Sequence, residues 1–122
     1  MRFLVVGLGS MGKRRIRNLQ FNGEKNIIGF DFSEERRKEA EEKYGIKTID
    51  DMQKLSDNDY DAVIISTPPD KHGEFIRFAL KNKKHFFVEV TTSDDGYGDV
   101  LNDKNQIIIK APSCTFRYYL PI

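Results

Sequence analysis

The chain carries one cysteine, Cys114, so no internal disulfide framework can hold it, and its setting reads as reducing and cytoplasmic. It has no surplus of either charge. Against 20 basic residues stand 19 acidic ones, a net charge of +1, which gives no reason to expect nucleic acid or an anionic membrane as a partner. No apolar run approaches the roughly 18 residues of a membrane helix, and the first residues read as a strand, not a signal peptide. Repeats and low-complexity tracts are missing. The acidic stretch 93–99 lacks the alternating spacing and the glutamate at position twelve of a calcium loop, so no metal site is expected. Length is short as well. The 122 residues suggest one domain, 1–122, which buries roughly two thirds of its surface on folding.

What is present begins at residue 3. The apolar run Phe3-Leu-Val-Val6 leads into Gly7-x-Gly9-x-x-Gly12, and residues 13–22 continue as a helix. Strand before and helix after give such a glycine pattern its meaning. Gly7 permits the tight turn off the strand, Gly9 lets a pyrophosphate approach the backbone, and Gly12 lets the helix lie close to the strand. Ser10 and Met11 sit inside the same turn, where free N–H groups and the helix dipole favour a phosphate.

About twenty residues past the glycines, Asp31 closes a second apolar run, 27–30, with Phe32 beside it. An acid at that place accepts hydrogen bonds from the ribose 2′- and 3′-hydroxyls. It also repels a 2′-phosphate by on the order of 1–2 kcal/mol, which makes NAD the expected cofactor and NADP the poorer one. Arg36 and Arg37 are placed to receive such a phosphate but read more simply as solvated residues of the next helix.

Short apolar runs alternate with amphipathic segments along the rest of the chain. Ile16 and Leu19 share a face with Gly12 on the first helix. Ser33 is a fitting N-cap for a second helix, with Glu34 and Glu35 at its positive end and Gly45 as its stop; its apolar face, Ala40 and Tyr44, is thin. Residues 46–49 read as a short strand, and Asp50 or Asp51 as the cap of a brief helix holding Met52 and Leu55. Residues 62–65 are apolar throughout, as in a parallel strand covered on both faces. Pro68 and Pro69 end it. Asp70 then caps a helix in which His72, Phe75, Ile76, Ala79 and Leu80 fall on one face. Residues 85–89 and 106–110 are two further strands, and 91–105 reads as a loop. This alternation predicts an α/β fold: a doubly wound parallel sheet of five to six strands, with helices on both faces.

Taken together, Gly7-Leu-Gly-Ser-Met-Gly-Lys-Arg14, Asp31, Ser66-Thr-Pro-Pro-Asp-Lys-His72, the helix after it and Lys84-His-Phe-Phe-Val-Glu89 resemble the nucleotide-binding half of the glucose-fructose oxidoreductase / inositol dehydrogenase (Gfo/Idh/MocA) family. The resemblance covers the whole chain. It implies that Ser66, Thr67, Pro68, His72 and Glu89 line the nicotinamide half of a cofactor cleft. His72 reads equally as a helix-face histidine satisfied by a carbonyl. Two departures accompany the resemblance. Val90 and Thr91 stand where the family has lysine and proline after the glutamate, so no catalytic residue is assigned. The family's second, substrate-binding domain is not expected within these residues, and residues 113–121 resemble the lead into it, with Thr115 where asparagine is usual. Cys114 reads as a buried spacer.

The resemblance implies an NAD-binding domain of an oxidoreductase acting on a secondary alcohol of a sugar, cyclitol or sugar nucleotide. Without a second domain or partner chain it is not expected to turn over. A stand-alone nucleotide-sensing module, similar to the potassium-transport regulatory domains, is the alternative that Val90 favours. A methyltransferase leaves the Thr-Pro-Pro and Phe-Phe-Val-Glu segments without a role. A sheet face left bare by the missing domain makes a homodimer an expectation.

Overall fold

Side chains of a strand point alternately to opposite faces, and this alternation sets the layers of the molecule. In β1 (Phe3–Val6), Leu4 and Val6 enter one apolar cluster while Phe3 and Val5 enter another. In β2 (Ile27–Phe30), Phe30 joins the first and Ile27 the second, and in β4 (Ala62–Ile65) Val63 and Ile65 oppose Ile64. β5 (His85–Glu89) continues the pattern, with Phe86 and Val88 on one side and Phe87 on the other. A sheet apolar on both faces must be covered on both.

The computed structural model describes residues 1–56, 58–67, 71–89, 106–111 and 114–119. Pro68, Asp70, Val90 and the expected loop 91–105 lie outside the described residues, as do the side chains of His72, Glu89 and Cys114. With β3 (Lys47–Ile49), β6 (Gln106–Ala111) and β7 (Cys114–Tyr119), the sheet runs β3-β2-β1-β4-β5-β7-β6. Its first five strands are mutually parallel. The expected doubly wound parallel sheet is there. It carries an addition, because the tail that reads as a lead into another domain holds β7, antiparallel to both β5 and β6. Thr115, Phe116, Tyr118 and Tyr119 favour a pleated strand, and an antiparallel return needs only a short connection.

The helices divide as right-handed crossovers require when the chain moves one way from β1 to β3 and the other way from β4 to β5. α1 (Ser10–Phe21) and α2 (Glu34–Tyr44) supply Ile16 and Ala40 to the cluster around Val5. α3 (His72–Lys81) supplies Phe75, Ile76 and Ala79 to the cluster around Leu4. The thin face expected of α2 is thin indeed, since Ala40 is its only buried residue. Ser33 caps it by accepting from the Arg36 N–H at 3.3 Å, and Gly45 ends it at φ 68°. Of the two acids proposed to cap the brief helix, Asp51 does so: it accepts from the Gln53 N–H at 2.9 Å, above a 3-10 turn over Met52–Lys54.

At the amino ends of β1 and β4 a carboxylate closes the sheet. Asp61 Oδ2 accepts from the Arg2 backbone N–H at 2.8 Å and from Nε at 3.2 Å, while Oδ1 accepts from Nη2 at 2.9 Å. These donors hold its pKa down at about 2. Among the described residues, no helix is long and apolar enough to cross a membrane.

Candidate functional site

At the opposite end, β1 and β4 are neighbours whose chains depart in opposite directions, the place where an open α/β sheet leaves a crevice. The crossing is tied by backbone bonds, Gly7 N–H to the Phe30 carbonyl and Ser66 N–H to the Val6 carbonyl, both 2.8 Å. Two of the three glycines are demanded by the protein itself. Gly7 has φ +93°, and a Cβ there would lie 2.8 Å from the Ser66 carbonyl oxygen. A Cβ on Gly12 would lie 1.7 Å from the Gly7 carbonyl oxygen.

Gly9 is different. Its φ of −75° and ψ of −163° suit any residue, and a Cβ would meet only Arg36 Nη1, at 3.9 Å. Nothing in the described chain needs glycine there. The space is open cleft, and α1 starts beside it with no side-chain cap and no acid in its first turn. By contrast, α2 has both. An uncapped helix start leaves N–H donors and a positive dipole end for an anion.

The cleft holds about 580 Å³. Gly7, Gly9, Ser10, Met11, Asp31, Phe32, Ser66 and Thr67 line it together, while Gly12 is buried behind the turn. A further hollow of about 550 Å³ shares Phe30, Phe32, Glu74 and Phe75 with it and continues toward Asp51 and Lys54. The backbones of His72 and Glu89 stand at the start of α3 and the end of β5. Ser66 Oγ is buried with no hydrogen-bond partner among the described residues, an unmet polar atom of the kind a ligand satisfies.

Asp31 does more than face the cleft. Its Oδ2 accepts from the Leu8 N–H at 2.9 Å and its Oδ1 from the Ser33 N–H at 2.8 Å. It therefore pins the glycine turn to the start of α2.

The model of the Gfo/Idh/MocA oxidoreductase family, described by an NAD-binding Rossmann fold, matches residues 1–92. The chain belongs to this family. A myo-inositol 2-dehydrogenase of Thermotoga maritima is 32% identical over 92 residues, which are 73% of this chain and 28% of the relative. A scyllo-inositol 2-dehydrogenase (NAD(+)) of Bacillus subtilis is 36% identical over 93 residues, 73% of this chain and 27% of the relative. Among solved structures, an NAD-binding protein from Listeria innocua is similar with a TM-score of 0.69 and 29% identity, over 83% of this chain and 31% of that one. This chain thus spans less than a third of the length of the curated relatives it matches.

In this Gfo/Idh/MocA chain, Lys71, Glu74 and Phe75 also line the cleft, where sequence reasoning does not put them, as does Arg36, which it reads first as a solvated helix residue. Arg36 is exposed, as expected of a solvated helix residue, yet its far end reaches the cleft, whereas Arg37 is half-buried against the preceding loop. Arg36 Nη1 stands 3.7 Å from Asp31 Oδ2. Arg37 Nη1 donates to the carbonyls of Asp31 at 2.7 Å and Phe32 at 3.0 Å. The cause is local: Ser33 starts the helix two residues after Asp31, and long side chains of a first turn lean back toward its N-terminus. The signal available in the sequence is their position three and four residues after the cap.

Proposed function

We propose that this chain is the dinucleotide-binding part of an NAD-dependent oxidoreductase acting on a secondary alcohol of a sugar, cyclitol or sugar nucleotide. Gly9 carries the reading, as a glycine that the chain does not need for itself, beside an uncapped helix start. Gly7, Gly9, Ser10, Met11 and Gly12 form the pyrophosphate turn, Asp31 and Phe32 hold the adenosine ribose side, and Ser66, Thr67, Pro68, His72 and Glu89 lie toward the nicotinamide. The chemistry NAD would supply here is acceptance of a hydride from the alcohol carbon. The residues of this chain bind and orient. No proton-transferring group is assigned among them, since Val90 replaces the family lysine, and turnover requires a second domain or a partner chain.

The same proposal places the protein in the cytoplasm, with residues 1–122 as one domain and a homodimer as its assembly. An apolar hollow of about 370 Å³ against Phe3, Leu19, Ile64 and Phe87 supports the last of these. Val90 also supports a second reading, a nucleotide-sensing module without catalysis.

The test is a pair of titrations of the polypeptide with NADH and NADPH, followed by nicotinamide fluorescence. NADH is expected to bind about tenfold more tightly than NADPH, and Asp31→Ala to weaken NADH by at least about tenfold. If neither dinucleotide binds, the oxidoreductase reading is lost.

A further inference from the structure

We infer that Arg36, and not Asp31 alone, sets how sharply this chain separates NAD from NADP: it receives a 2′-phosphate and so keeps the preference for NAD shallow. The inference rests on the cleft being a dinucleotide site, as proposed above. An acid at the end of the second strand ordinarily excludes NADP by repelling the extra phosphate. Here the Asp31 carboxylate is only 12% exposed and each of its oxygens already accepts a backbone N–H. It has lone pairs left for ribose hydroxyls, but its charge does not stand alone.

Arg36 is 57% exposed on its side chain. It lines the cleft, 3.7 Å from Asp31 and 3.9 Å from the position of a Cβ on Gly9. The guanidinium therefore stands between the glycine turn at Gly9 and the acid Asp31, within reach of a group carried on a ribose that Asp31 would hold. At 3.7 Å it is a charge partner of Asp31 without being hydrogen-bonded to it. Its planar fork remains available for a phosphate, which it can engage through two parallel bonds. Arg37 is turned to the loop instead, where its Nη1 donates to two carbonyls. Repulsion from Asp31 and attraction by Arg36 thus act on the same phosphate with opposite sign, whereas the two hydroxyls of NAD meet only hydrogen-bonding groups.

The test compares the unaltered chain with Arg36→Ala, Arg36→Lys and Lys38→Ala, each titrated with NADH and NADPH. Lys38 lies on the same helix, 66% exposed and paired with Glu34 at 3.2 Å, so its removal takes one positive charge from outside the cleft. Arg36→Ala should widen the gap between the two cofactors from about tenfold to about a hundredfold, with NADH changing less than about threefold. Arg36→Lys, which keeps the charge and loses the fork, should fall between. Lys38→Ala should leave the ratio where it was. Far-ultraviolet circular dichroism checks that each variant is folded. A ratio unmoved by Arg36→Ala while NADH still binds overturns the inference and leaves the proposed function standing, as does an equal shift from Lys38→Ala. Failure of the unaltered chain to bind either dinucleotide removes both.

Discussion

The two ends of the sheet each hold an aspartate against an arginine, and they use the pair differently. At the amino ends of β1 and β4, Asp61 and Arg2 close fully, through three hydrogen bonds of 2.8 to 3.2 Å. At the carboxyl ends, Asp31 takes two backbone N–H groups and leaves Arg36 at 3.7 Å over a cleft of about 580 Å³. The closed pair locks two strands together. The open pair ties the glycine turn to the start of α2 and leaves a guanidinium without a hydrogen bond to the acid, beside a cavity. Identical residue types thus separate scaffold from site by whether the ion pair is completed, which is a matter of distance and not of composition.

The glycines at the carboxyl end give the sharpest way to break this division. Gly12→Ala places a Cβ 1.7 Å from the Gly7 carbonyl oxygen, so helix and strand must separate. A loss of about 3 kcal/mol is expected, read as a lower urea midpoint. An unchanged midpoint would mean that α1 moves without cost. Gly9→Ala should do the reverse. Its backbone angles suit alanine, so the midpoint should hold or rise slightly, while NADH affinity falls about tenfold as the methyl enters the cleft. A fall in stability with binding intact would put Gly9 with the scaffold.

The smallest effect is expected at the closed end. Asp61 has its pKa lowered from 3.8 to about 2 in the folded chain. A depressed carboxyl stabilises the fold at pH values above its ordinary one, and that contribution is lost as pH falls from about 4 toward 2. Both partners are more than a third exposed, at 43% and 37%, so solvent screening reduces the effect to about 1 kcal/mol. Asp61→Asn should lower stability by that amount at pH 7 and by almost nothing near pH 2, in urea titrations at each pH. A difference that persists undiminished at pH 2 would show that the hydrogen bonds matter and the charge does not.

Much of the scaffold was legible because it is written in local periodicities. Residues 62–65, apolar without interruption, could hardly be anything but a covered strand, and the spacing of Gly12, Ile16 and Leu19 located the buried side of α1. Asp31 was found by its distance from the glycines, and Asp51 was one of two named caps. The second task of Asp31, pinning the Leu8 N–H, is not legible, because that bond crosses from the end of β2 to the turn after β1. The reach of Arg36 is hidden for a related reason. Helical spacing says which direction a side chain leaves the axis, but not that its far end reaches 3.7 Å from an acid on the preceding loop. β7 escaped because its partners, β5 and β6, decide its fate more than its own pattern does.

The place of β1 between β2 and β4 has a consequence for how the protein is made. β1 leaves the ribosome before β2, which can pair with one of its edges, and the other edge waits for Ala62–Ile65. At about 5–20 residues per second, that wait lasts a few seconds. During it, the residues that line one side of the cleft, from Gly7 to Asp31, have been made, whereas Ser66 and Thr67 have not. The growing polypeptide therefore carries half the lining of the cleft and one strand edge without its neighbour, and both are completed by the same event, the arrival of β4.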